Sequence, residues 1–182
     1  QDQSFDVIQI SLIDSWAATV AGAFSLSENN LYTVEAFLDY FDKLNQDGML
    51  SVTRYLFSPR NQSLRAAIIG RKALELRGVE NPERNIAVIS TSRQNGLATI
   101  LIKRTAFSQS EIVSIQEAAQ ELGFEIIYLP GLNGDPNFVK ALTTQPLEDY
   151  LKDAYYDLRP STDDKPFFFQ MMYFSRAFDL IL

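Results

Sequence analysis

Apolar residues crowd Phe5 to Ile10 (FDVIQI), the pattern of a strand buried on both faces in a parallel sheet. The period then lengthens to 3.6. Val34, Phe37, Leu38, Phe41 and Leu44 follow helical spacing, with Thr33 as N-cap and Glu35 in the first turn. Asn45-Gln46-Asp47-Gly48 reads as the stop, and Met49 to Thr53 (MLSVT) as the next strand, so the chain opens with a strand–helix–strand unit. After Ser58-Pro59 a second helix is predicted from about Ser63 to Leu76, ending at Gly78, with Arg71, Lys72 and Arg77 suited to its C-terminal dipole.

Asn85 to Ser90 (NIAVIS) and Leu97 to Lys103 (LATILIK) flank a short polar turn and read as a hairpin. Ser108-Gln109-Ser110-Glu111 is a capping box for a helix with Ile112, Ile115, Ala119 and Leu122 on one face and Gly123 as its stop. Phe124 to Leu129 (FEIIYL) is a further strand. Beyond Pro130 the pattern is loop-like, apart from a short helix at about Leu147 to Tyr155. The order β-α-β-α-β-β-α-β predicts an α/β fold: a mostly parallel sheet with an antiparallel hairpin.

Composition narrows the chemistry. The 182 residues are 46% hydrophobic, with 13 Phe and 8 Tyr, enough for the core of one domain and unlike a disordered chain. Sixteen Lys and Arg against 23 Asp and Glu give a net charge of −7, which argues against phosphate-backbone contacts; no nucleic-acid partner is expected. There is neither Cys nor His, so disulfides, thiolate zinc sites, thiol nucleophiles and imidazole bases are excluded. Acid–base chemistry falls to Asp, Glu, Tyr or Lys. QDQS has no signal-peptide character, no apolar run is long enough for a bilayer span, and no G-x-G-x-x-G or P-loop occurs.

Asp14 follows the first strand at its C-terminal end, where open α/β sheets place ligand contacts. It reads as a carboxylate lining a polar pocket for a cationic amine, or as a cap opening a short helix at Asp14-Ser15-Trp16-Ala17. Trp16, among small residues, reads as a stacking surface or as a packed core indole. Glu28, Asn29 and Tyr32 precede the helix and would line the same mouth, or serve as loop and cap residues. Glu35 and Asp39 share a helix face, read as solvated rather than metal-binding. Asp163-Asp164-Lys165-Pro166 runs into Phe167-Phe168-Phe169, then Met171, Met172, Tyr173 and Phe174; this apolar stretch must cover itself on the core, a partner or a membrane surface.

The strings FDVIQIS (Phe5 to Ser11), LYTVEAF (Leu31 to Phe37) and LNQDGMLSV (Leu44 to Val52) resemble, in order and spacing, the later half of the class I S-adenosylmethionine-dependent methyltransferase fold in its spermidine-synthase branch. Asp6 to Phe37 and Leu158 to Phe169 (LRPSTDDKPFFF) are similar to uncharacterised bacterial spermidine-synthase-like proteins often fused to membrane segments. The resemblance implies a Rossmann-like domain starting at the family's fourth strand, without the strands that carry the glycine-rich loop and the ribose-binding acid. Residues 1–150 would form this half-domain and 151–182 an aromatic-rich tail packing on it or on a partner.

The resemblance further implies a transferase using S-adenosylmethionine or its decarboxylated form, with an amine or similar acceptor, inactive as this stretch alone. Where spermidine synthases carry the acid that deprotonates the attacking amine, this chain has Ser11, which cannot act as a carboxylate base; Asp14, three residues on, becomes the candidate catalytic residue. Ser11, Trp16, Glu28 and Tyr32 are the implied substrate- or cofactor-binding neighbours, and no metal is implied. The implied location is cytoplasmic, at the inner face of a bacterial membrane as part of a larger protein. The alternative is a non-catalytic interaction module, whose exposed sheet edge pairs with a second copy or with the absent N-terminal half.

Overall fold

The computed structural model describes residues 3–13, 28–57, 61–93, 95–132 and 134–173. Strands β1 (Phe5–Ser11), β2 (Leu44–Leu56), β3 (Ile86–Ser90), β4 (Gly96–Lys103) and β5 (Glu125–Tyr128) form one sheet in the order β1-β2-β4-β3-β5. Among the described residues the α-helices are α1 (Val34–Lys43), α2 (Asn61–Leu76), α3 (Gln109–Leu122), α4 (Pro136–Thr143) and α5 (Leu147–Asp153). The fold is α/β, and the sheet is mixed rather than mostly parallel. Only β1 and β2 pair in parallel; β2–β4, β4–β3 and β3–β5 are antiparallel. The cause is interleaving. Each helical crossover joins strands of one direction, but β4 sits between β2 and β3, and β3 between β4 and β5.

Local chemistry places the helix starts where the pattern predicts them. Thr33 Oγ1 accepts the Ala36 N–H at 3.1 Å to cap α1, and Ser108 with Glu111 closes a reciprocal capping box on α3. Gly123 ends α3 with φ 70°, a left-handed conformation that suits a residue without Cβ. Helix α4 occupies a stretch whose pattern reads as loop. Asp135 caps the Asn137 and Phe138 N–H groups, Pro136 begins the first turn, and Phe138, Ala141 and Leu142 are buried.

The core lies mainly on one sheet face. There α1, α2, α4 and α5 pack Phe37, Phe41, Ile68, Ile69, Phe138 and Tyr150 against Leu50, Val52, Val88, Ile100 and Ile102. Alternate residues of β3 and β4 point the other way, where Ala87 and Leu101 meet Phe107, Ile112 and Ile115 of the α3 segment. Helix α2 is buried nearly all round. A Cβ on its Gly70 would stand 2.3 Å from Ile102 Cδ1, so glycine sets how closely the helix approaches the sheet. Arg71 does not act as a helix-end charge: it is buried, donates to Ala141 O at 2.8 Å, and so satisfies a carbonyl of the last turn of α4. No helix among the described residues is long and apolar enough to cross a membrane.

The two sheet edges differ. Beside β5, Asp135 N donates to Ile127 O at 2.8 Å and Gly134 fits against that same carbonyl, so the chain's own loop occupies this edge. Beside β1 no described residue pairs with the outer edge, and Phe5 and Val7 are 46% and 55% exposed. The NQDG segment is not a stop between helix and strand. It is taken into β2 as an irregularity, for Phe5 aligns with Leu44 while Val7 already aligns with Met49. Gly48 makes this possible: a Cβ there would lie 2.8 Å from Phe5 O and 3.1 Å from the Asn45 backbone. Gly48→Ala is expected to lower stability by about 1–3 kcal/mol in urea unfolding through this backbone clash, and a midpoint equal to the wild type would refute the close approach.

Candidate functional site beneath the C-terminal strap

The residues after α5 form a strap with little regular structure that nevertheless buries Leu158, Phe168, Phe169 and Met171 in the main core. Of the three coverings open to the aromatic run, these residues take the core. The strap is sewn to the start of α1. Val34 N donates to Ser161 O at 2.9 Å, Ser161 Oγ to Tyr32 O at 2.6 Å, and Asn29 N to Pro166 O at 2.7 Å. Thr33 Oγ1, already the α1 cap, donates to Asp163 Oδ1 at 2.7 Å, while Asp163 N donates to Glu35 Oε2 at 3.0 Å. The Asp163-Asp164 string therefore divides its labour: Asp163 fastens a helix cap, and Asp164 stays exposed.

Two buried arginines hold the strap from below. Arg65, on α2 and 5% exposed, donates through Nε to Arg159 O at 3.0 Å. Its Nη1 shares its hydrogens among Phe167 O, Phe168 O and Gln170 O at 3.1, 2.7 and 2.8 Å. Burial pulls its pKa down to about 10, partly offset by nearby Asp157, so the guanidinium stays charged at neutral pH. Arg54 stands near the C-terminal end of β2. Its Nη1 donates to the Tyr32 hydroxyl and its Nη2 to Gln62 Oε1, both at 3.0 Å. The guanidinium carbon lies 4.9 Å from the Tyr32 ring centre, 5.5 Å from that of Phe168 and 5.0 Å from that of Phe169. Tyr32 itself stacks on Phe168 at 4.6 Å. The result is a packed wall at the C-terminal end of β2: a buried guanidinium boxed by aromatic faces, suited to positioning and to excluding water.

Of the residues singled out from sequence, Asp14 and Trp16 lie outside the described residues. Ser11 is exposed at the end of β1, aligned with Thr53 and so one residue along β2 from Arg54. Glu28 is exposed ahead of the turn that leads into α1. Tyr32 is wholly buried, its phenol oxygen turned to Arg54 rather than to an open mouth. Ser11, Tyr32 and Arg54 are thus gathered at one end of the β1–β2 pair. Asp39 shares a shallow pocket of about 300 Å³ with Asn30, Ala36 and Asp163, and no group of three metal-ligating side chains occurs among the described residues. Sequence reasoning passed over Arg54, Gln62 and Arg65. The signal was present: a lone arginine inside MLSVTRYL and another inside SLRAAIIG are charges in otherwise buried runs.

The strap has one acid whose ionisation matters to its shape. Burial alone would push Asp157 up, but hydrogen bonds from the Arg159 side chain and backbone outweigh it and hold the carboxyl below the usual range. A depressed folded pKa supplies stability that is complete above the unfolded carboxylate range and is lost as pH falls through the folded value. Asp157→Asn is expected to flatten the acid limb of thermal stability below about pH 4, and an unchanged acid limb would show that the pair contributes nothing. Tyr32→Phe is expected to cost about 1–3 kcal/mol in urea unfolding by removing a buried acceptor from Arg54; no loss would show that the hydroxyl is dispensable.

No protein-family model matches this chain, and no curated protein matches it.

Proposed function

We propose that this chain is the C-terminal half of a spermidine-synthase-like domain of the class I methyltransferase type. The complete protein then transfers a group from S-adenosylmethionine, or its decarboxylated form, to an amine or similar acceptor. The observation that carries this reading is the inequality of the sheet edges. One edge is occupied by the chain's own loop, while the other is a parallel-paired strand with apolar side chains in the open. Parallel strands belong inside sheets covered on both faces, so β1 has the character of an interior strand standing at an edge. Further strands added beside β1 would make it the point where strand order reverses, and doubly wound sheets bind ligands outside the C-terminal strand ends at that point.

Ser11 ends β1 there, the sequence continues to Asp14 and Trp16, and Tyr32 with Arg54 forms the adjoining wall. In this reading Asp14 is the polar contact for a cationic amine. Ser11, Trp16 and Glu28 stand around it, and Tyr32 supports them from the core. Residues 1–150 supply the half-domain, residues 151–182 the tail across it, and the whole acts in the cytoplasm at the inner face of a bacterial membrane. A second reading rests on the same exposed Phe5 and Val7: a non-catalytic module whose β1 edge pairs with another strand, from a second copy or from the N-terminal half.

Calorimetry on the full-length polypeptide containing this sequence separates the two. Binding of S-adenosylmethionine, its decarboxylated form or methylthioadenosine, together with loss of spermidine binding in Asp14→Asn, is the expected outcome. Silence with all four ligands, accompanied by self-association in light scattering that Val7→Lys abolishes, would overturn the transferase reading in favour of the module.

A further inference from the structure

Between α2 and the strap lies an open cleft of about 680 Å³, within the size range of small-molecule sites. Arg65 lines it, together with Arg159, Asp164, Lys165, Phe167 and Met172. Of the five guanidinium N–H donors of Arg65, those on Nε and Nη1 are taken by strap carbonyls. Among the described residues Nη2 has no acceptor and no carboxylate bonds to the guanidinium, although the residue is only 5% exposed. Asp157, the nearest acid to act on Arg65, gives both its oxygens to Arg159. With that pair self-neutralised, Arg65 and Lys165 face Asp164 alone, leaving the cleft with an excess of positive charge inside a protein of net charge −7.

We propose that this cleft binds a small organic monocarboxylate, its carboxylate held by Arg65 Nη2 and Lys165 and its apolar body laid against Phe167 and Met172. An arginine nitrogen carrying two N–H groups suits a carboxylate oxygen, and the charge on a desolvated guanidinium gains most from an anion that follows it out of water. Asp164 sets the charge limit: a second negative charge on the ligand would be repelled by it, so a dianion such as phosphate fits less well. The site is independent of the transferase reading, for it uses neither Asp14 nor the end of β1.

Titration of benzoate, propionate and inorganic phosphate into the intact protein, followed by calorimetry and amide NMR, tests it. Expected are saturable benzoate binding with shifts confined to the strap, weakening with added salt, and phosphate the weakest of the three. Lys165→Gln, an exposed position, should weaken benzoate roughly three- to fivefold, and Met172→Asp roughly tenfold, each with an unchanged thermal midpoint. Absence of saturable carboxylate binding, phosphate tighter than benzoate, or wild-type affinity in both variants would overturn the proposal.

Discussion

The donation of one buried guanidinium to four backbone carbonyls is what allows the last described part of this chain to be irregular and buried at once. Some strap carbonyls accept backbone N–H groups, but Arg159 O, Phe168 O and Gln170 O belong to no helix or ladder, and a carbonyl buried without a donor costs a hydrogen bond. Arg65 supplies the missing donors from a single rigid fork, and the carbonyl dipoles in turn compensate a charge that burial disfavours. The arrangement works because α2 is enclosed. Gly70 brings it against Ile102, Arg71 ties it to α4, and Arg65 turns its remaining side into an anchor for the strap.

From that anchor the order of the site follows. The fixed strap carries Ser161 and Asp163 onto the N-terminus of α1 and sets Phe168 and Phe169 over Tyr32 and Arg54. Two guanidinium groups are thereby held in the interior, Arg54 among aromatic faces and Arg65 among carbonyls. The wall stands at the C-terminal ends of β1 and β2, where Ser11 aligns with Thr53 next to Arg54. The sheet edges are unequal: the chain's own loop lies along β5, while among the described residues none pairs with the outer edge of β1.

Most of the element order was readable from the sequence because it rests on local physics. Thr33 and the Ser108–Glu111 box name their helices through caps, Gly123 stops α3 through its backbone freedom, and FDVIQIS announces a strand, though not its burial: of its residues only Ile10 is buried, because β1 stands at the edge of the described sheet rather than inside it. The loop reading after Pro130 failed although Asp135-Pro136 is itself a helix-start signal; eight residues gave too short an apolar face to declare a period. NQDG failed differently. Its composition is that of a turn, yet Gly48 lets the backbone pass under Phe5 O and the strand absorb the segment.

What composition and periodicity settled is therefore the α/β class, the capped starts of α1 and α3 and the absence of cysteine and histidine chemistry, since each depends on neighbours within a turn or on mere presence. Strand neighbours, the burial of Arg54, Arg65 and Arg71, and the turning of Tyr32 towards the core were decided only by tertiary packing. The physical reason is range. An arginine on a helix looks the same in sequence whether it meets water or four carbonyls from a strap about a hundred residues away, and only the folded chain brings those carbonyls to it.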